Sequence, residues 1–206
     1  LDTIVRLSQA AEYRDEDTGA HIRRIAYYSA AIARTMELDE ETVELLLHAA
    51  PMHDVGKIAI PDRILLKPGR LTEEEMETMK QHTVLGARVL SNSDSDLMRT
   101  AETIALTHHE KWDGTGYPYG KAERGIPIAG RVVAVADVYD ALTSARPYKE
   151  AMPPERAISI MREERARHFD PEVLDAFLSI QSEIASIAEH HSDQLADGLK
   201  GSARSD

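Results

Sequence analysis

Residues 130–144 read GRVVAVADVYDALTS, and the fold class turns on how they are read. The opening RVVAVA is dense in β-branched residues and reads equally well as a buried strand. The segment is long for a strand, and its apolar pattern continues through Ala141 and Leu142, which favours a helix. The rest of the chain agrees. Residues 18–36 place Ile22, Ile25, Ala26, Ser29, Ile32 and Ala33 on one helical face. Asp39 is positioned to cap a second helix, and Thr72 with Glu75 has capping-box spacing. Residues 95–110 are again helical in pattern. Residues 111–128 hold four glycines and two prolines and read as a loop. Asp170-Pro171 opens a last helix running to about residue 190. Residues 1–12 are mildly amphipathic and read as helical. The expected fold is all-α, a compact helical bundle.

A chain of 206 residues is long enough for one good core. Its longest apolar run, Val132 to Ala136, is far too short to span a bilayer. The chain lacks cysteine, so disulfides and thiolate metal sites are excluded, and a cytoplasmic setting is expected. A net charge of −12 repels nucleic acid polymers and anionic membranes. A phosphate substrate stays compatible with that charge if bound cations dominate locally. The first residue is leucine, so the chain is read as a piece of something longer. Residues 1–14 are expected to form a helix or linker from an upstream domain, residues 15–190 the working domain, and residues 191–206 a disordered tail.

The polar residues most in need of explanation lie in AAPMHDVGKIAIPDR, where His53 and Asp54 stand side by side at the end of an apolar segment. Such groups are costly to bury unless something positive sits between them. Nine histidines are present. Asp17 and His21 share a helical face four residues apart, His82 lies within a helix, and His108 and His109 are adjacent. On a helix, that last pair would point about 100° apart and reach different ions. Asp137 is flanked by apolar residues, where a carboxylate is rare unless paired or metal-bound; Arg131 or Arg146 could be its partner instead. His48, His168, His190 and His191 read as ordinary hydrogen-bonded residues. Nitrogen and oxygen donors of this kind suit Mn, Fe, Co, Ni or Zn rather than Cu(I).

The order His21, His53-Asp54, Asp137 resembles the HD superfamily of metal-dependent phosphohydrolases. HDVGK, HHEKWDGTGYP and ADVYDALTSARPYK are similar to the HD-GYP subfamily, whose members hydrolyse cyclic di-GMP. The resemblance covers about residues 10–178, and its GYP triplet is Gly116-Tyr117-Pro118. It implies His21, His53, Asp54 and Asp137 as the core metal ligands, with His82, His108 and His109 as the additions typical of the subfamily. Asp54 would be the bridging carboxylate. Asp17 stands where some members carry a glutamate that helps hold a third ion; the shorter side chain puts three-ion occupancy in question. These ligands are more than one ion can take while keeping positions open for water and substrate, so at least two divalent ions are implied, Fe or Mn by resemblance.

The same resemblance implies catalytic roles for His53, Asp54 and Lys57, with a hydroxide bridging the metals attacking phosphorus in line. Lys57, Tyr117, Arg146, Lys149 and Asp15 are the implied substrate contacts: Lys57 for phosphate, Tyr117 for the nucleotide, Arg146 and Lys149 for a guanine and a phosphate, Asp15 for a guanine edge. Gly114, Gly116 and Gly120 are read as relieving backbone strain in the loop, and Gly56 as letting the chain turn away after Asp54. The expected product is pGpG; further cleavage to GMP is left open by the sequence. The resemblance also assigns the loop to contact with diguanylate cyclase domains and places a sensory or receiver domain upstream, and the first helix offers a route to a homodimer. Rival readings are a hydrolase of a related cyclic dinucleotide and a catalytically silent cyclic-dinucleotide and metal sensor or protein-interaction module.

Overall fold

A computed structural model describes residue 8, residues 19–144 and residues 151–192, and every regular element among them is helical. The expected helix over residues 1–12, Ser8 apart, and the tail beyond Ser192 lie outside the described residues. Helix α1 spans Gly19–Thr35 and α2 Glu40–Ala49, followed by 3-10 turns at Ala50–Met52 and Val55–Ala59. A short α3, Asp62–Leu65, leads to α4, Glu73–Leu90, and α5, Asp96–Thr107. After a loop containing one 3-10 turn come α6, Ile128–Thr143, α7, Pro154–Glu163, α8, Pro171–Ser179, and α9, Gln181–His190.

The expected caps are present. Thr42 N donates to Asp39 Oδ1 at 2.8 Å. Thr72 and Glu75 form a reciprocal capping box. Asp170 accepts from the backbone N of Glu172 at 2.8 Å, with Pro171 in the first turn. The single helix expected from 171 to 190 is two, broken at Ile180 (φ −112°, ψ 28°). Neither glycine nor proline marks that break. Ile184 and Phe177 are both buried, so the change of direction keeps both segments on the core. Helix α7 and the short α3 are additions to the expected set.

Segment 130–144 lies in α6, the central helix of the bundle. It packs against α1, α5, α7 and α8, and Val132, Val133, Ala134, Val135 and Ala136 are all buried. That position explains its strand-like composition: a helix surrounded by protein is apolar on every side, so neither period stands out. Tyr28, Ile32, Leu46, Ile104, Phe169 and Phe177 complete the main core around it. A satellite cluster of Ile60, Ile64 and Leu65 sits under α4.

One core position is at odds with its surroundings. Ser29 is fully buried in α1 and its hydroxyl has no hydrogen-bond partner among the described residues. An unpaired buried hydroxyl costs about 1 kcal/mol or more, and alanine removes it with little change in volume. Ser29→Ala is therefore expected to stabilise the protein by about 1 kcal/mol in urea denaturation; a loss of stability would show that the hydroxyl is satisfied.

Candidate metal centre

The end of α2 builds the centre. The 3-10 turn Ala50–Met52 brings His53 and Asp54 inward, both buried. Gly56 then lies hard against α4: a Cβ there would sit 1.9 Å from the carbonyl oxygen of His82 and 2.4 Å from the backbone N of Gly86. Gly56 has no positive φ, so its role is close approach rather than a turn away. Any larger residue would push Asp54 from His82.

Two donor groups result among the described residues, each with ligand atoms within 4.8 Å of one another: Asp54, His82, His108 and His109 in one, and His21, His53 and Asp137 in the other. Asp54 lies where they meet. Its Oδ1 is 3.1 Å from His82 Nε2 and 3.4 Å from His108 Nε2, while its Oδ2 is 3.4 Å from His53 Nε2. His53 Nε2 is 3.9 Å from Asp137 Oδ1.

Four of the imidazoles are held from behind. Backbone carbonyls accept from Nδ1 of His53 (Ala50, 3.0 Å), His82 (Met79, 2.8 Å) and His108 (Ile104, 3.0 Å). Nδ1 of His21 donates to the Asp140 carboxylate at 2.7 Å. Carbonyls only accept, so the protons sit on Nδ1 and the Nε2 lone pairs face inward. Among the described residues, Asp54 Oδ1 and the Nε2 atoms of His82 and His108 are buried without a hydrogen-bond partner. Three converging acceptors repel one another unless a cation lies among them. Their spacing suits neighbouring ligands of one ion with bonds of about 2.1 Å. The residues therefore fit a metal, and this cluster could hold one.

The electrostatics agree. Burial alone would raise the Asp54 carboxyl, but Lys57, whose Nζ is 2.9 Å from Oδ2, and His53 hold it well below the usual carboxylate range. Burial lowers His108, and burial together with His108 and His82 pushes His109 well below the usual imidazole range. Both are neutral near pH 7, the state a ligand needs. Burial, with the negative charge of Asp54 and Asp137, raises the Tyr117 hydroxyl, which stays a donor.

The loop after α5 is tied to the centre. Helix α5 ends at Thr107, so His108 and His109 lie beyond the regular helix and both belong to the Asp54 donor group. Tyr117 stacks on His109 (ring centroids 4.8 Å, interplanar angle 26°). Buried Glu110 accepts from the backbone N of Tyr119 at 2.9 Å and of Lys121 at 3.0 Å. Gly114 and Gly120 adopt φ of 80° and 64°, the expected strain relief. Gly116 differs: its backbone crosses so close to Glu110 that a Cβ would lie 2.5 Å from that residue's Cα. Pro118 follows Tyr117 through a cis peptide.

Of the expected site residues, His21, His53, Asp54, Lys57, His82, His108, His109, Tyr117 and Asp137 come together; Asp15, Asp17, Arg146 and Lys149 lie outside the described residues. Arg131 pairs with Asp170, not with Asp137. His48, His168, His190 and His191 belong to neither donor group. The sequence reading missed Asp140 and its buried partner Arg24, joined at 2.6 and 3.0 Å. The signal was available: Asp140 is a second carboxylate in the same apolar helix, one turn from Asp137. Glu110 was also missed.

A model of the HD domain family matches residues 6–173. The chain belongs to the HD domain family. Among curated proteins, this HD domain is 49% identical over 188 residues to a cyclic di-GMP phosphodiesterase of Thermotoga maritima, covering 91% of this chain and 51% of the relative. It is 46% identical to the cyclic di-GMP phosphodiesterase response regulator RpfG of Xanthomonas campestris pv. campestris, covering 95% and 52%. It is 41% identical to the 3'3'-cGAMP-specific phosphodiesterase 2 of Vibrio cholerae, covering 90% and 36%. The chain thus spans about half the length, or less, of these relatives. The crystal structure of a cyclic GMP-AMP specific phosphodiesterase of V. cholerae (V-cGAP3) aligns with a TM-score of 0.69 over 96% of this chain and 52% of its own, at 15% identity; the two share the HD-type all-α fold. No helix among the described residues is long and apolar enough to cross a membrane.

Proposed function

We propose that this HD domain is a metal-dependent phosphodiesterase that hydrolyses cyclic di-GMP to pGpG in the cytoplasm. The observation that carries the proposal is the pair of donor groups meeting at Asp54, with three buried acceptors aimed at one another. Two relatives at 46–49% identity that bear the name cyclic di-GMP phosphodiesterase support the substrate. Two or three divalent ions are proposed, Fe or Mn, the third depending on Asp17. Such ions would supply a nucleophile at neutral pH and neutralise charge developing on phosphate oxygens.

The chain's own residues have separate tasks. Asp54 spans both donor groups through its two oxygens. The carbonyls behind His53, His82 and His108, and Asp140 behind His21, fix each ring so that Nε2 points inward. Lys57, 14% exposed at its side chain, places a positive charge at the mouth of the cluster for a phosphate oxygen. Tyr117 offers an aromatic face and a protonated hydroxyl to the nucleotide, with Arg146, Lys149 and Asp15 proposed as further contacts. The loop's reach to a diguanylate cyclase domain, an upstream sensory or receiver domain and a homodimer belong to the same proposal.

The test is product chromatography. The protein is incubated with cyclic di-GMP without oxygen, with Mn(II) or Fe(II), beside a His53→Ala/Asp54→Ala control. The expected result is pGpG from the intact protein only. Absence of product with metals bound would point to a sensing role; cleavage of 3'3'-cGAMP in its place would move the substrate to the related dinucleotide that the V. cholerae relative is named for.

A further inference from the structure

Lys80 is, with Lys57, one of two lysines beside the metal centre among the described residues. Its Nζ stands 5.5 Å from the centroid of the Tyr117 ring, the ring stacked on His109. It is thus one aromatic ring away from a candidate metal ligand. Lys57 is already engaged, at 2.9 Å from Asp54 Oδ2. The carboxylate partner of Lys80 is Glu77, at 2.5 Å and one turn back on α4. The Glu77 side chain is 68% exposed. Such a surface pair contributes little and exchanges readily for a stronger anion. A phosphate can take the carboxylate's place, because an ammonium forms charge-assisted bonds to both.

The chemistry of the substrate supplies that anion. A cyclic dinucleotide carries two phosphodiesters in one ring, and only one can occupy the metal cluster while it is cut. The other keeps its full negative charge, beside a chain whose net charge is −12. A local cation near the nucleotide-facing Tyr117 yet outside the cluster would hold it, beside the contacts proposed for Arg146 and Lys149. Lys80 meets that description: 32% exposed at its side chain, against Tyr117, and not bound to any carboxylate of the centre in the described structure. We infer that Lys80 binds the non-scissile phosphate of the cyclic dinucleotide and so favours substrates with two phosphodiesters over those with one. The inference rests on the proposed cyclic-dinucleotide reading.

The test compares two substrates on the metal-loaded protein: cyclic di-GMP, and bis(p-nitrophenyl) phosphate, which has a single phosphodiester and no base. Lys80→Met keeps the apolar stem and removes the charge; Lys80→Arg keeps the charge. The methionine variant is expected to shift the ratio of kcat/KM between the two substrates about tenfold against cyclic di-GMP, mainly through KM, the loss of one charge-assisted contact. The arginine variant is expected to restore most of it. A ratio equal to the wild type's in Lys80→Met would overturn the inference. That holds whether neither rate moves, as for an idle surface lysine, or both fall together, as for a lysine that only braces the loop. Wild-type protein that cleaves bis(p-nitrophenyl) phosphate but not cyclic di-GMP would overturn the underlying reading as well, and is distinguished because no variant is needed to see it.

Discussion

Asp54→Asn is expected to lower phosphodiester hydrolysis by about 10³-fold while leaving the helical circular dichroism signal unchanged. The asparagine has nearly the same shape, so packing against His53, His82 and Gly56 is kept. What changes is charge and donor capacity. The two oxygens of Asp54 face different donor groups, with Oδ1 toward His82 and His108 and Oδ2 toward His53 and Lys57. An amide offers one oxygen and a nitrogen that donates, so one group would lose its shared ligand and gain a repelling N–H. Steady-state assays on cyclic di-GMP check this. Activity within about tenfold of wild type would mean that the two groups do not act through Asp54.

Asp140→Asn is expected to have the largest effect on stability, about 3–5 kcal/mol at pH 7, seen as a fall of about 10 °C in Tm. Asp140 is 1% exposed and is held by His21 and by two bonds from buried Arg24. Burial alone would raise its carboxyl, yet the bonds to His21 and Arg24 lower it to about 2. The direction of the pH dependence follows. The folded-state value lies below the unfolded one of about 3.9, so between them the unfolded chain binds more protons. The contribution, about 2 kcal/mol, is present above about pH 4 and is lost as pH falls towards 2. Urea denaturation of wild type and variant across that range checks it: the difference between them is expected to shrink with acid. A constant difference would show that the Asp140 carboxyl is not depressed. The variant also weakens the anchor of His21, so Mn(II) affinity is expected to fall about 10–100-fold.

Much of this was legible in the residues, and the gaps have identifiable causes. The helices with strong local signals, Asp39, Thr72-Glu75 and Asp170-Pro171 at their starts, fall where periodicity and capping place them. Segment 130–144 was harder because its stretch Val132 to Ala136 is buried on every side and shows no period, and only its length and its continuation through Ala141 and Leu142 gave it away. The break at Ile180 has no local marker; it is imposed by packing. At the centre, the adjacency of His53 and Asp54 announced a candidate ligand pair. The close approach that joins them to α4 was hidden in Gly56, where only the three-dimensional neighbour, His82, reveals why a side chain is forbidden. Asp140 and Arg24 act across more than a hundred residues of sequence, which no spacing rule reaches. Glu110 bonds backbone groups rather than side chains and so left no partner in the sequence.

If Asp54 joins two metal-holding groups, ion stoichiometry must depend on both of them. The measurement that tests it most directly is the number of ions retained per chain, after loading with Mn(II) without oxygen and desalting, in wild type and in His82→Ala. At least two ions are expected in wild type and about one fewer in the variant, since the His82 group is emptied and the His21, His53 and Asp137 group is not. One ion or none in the wild type, or equal numbers in both proteins, would contradict the account.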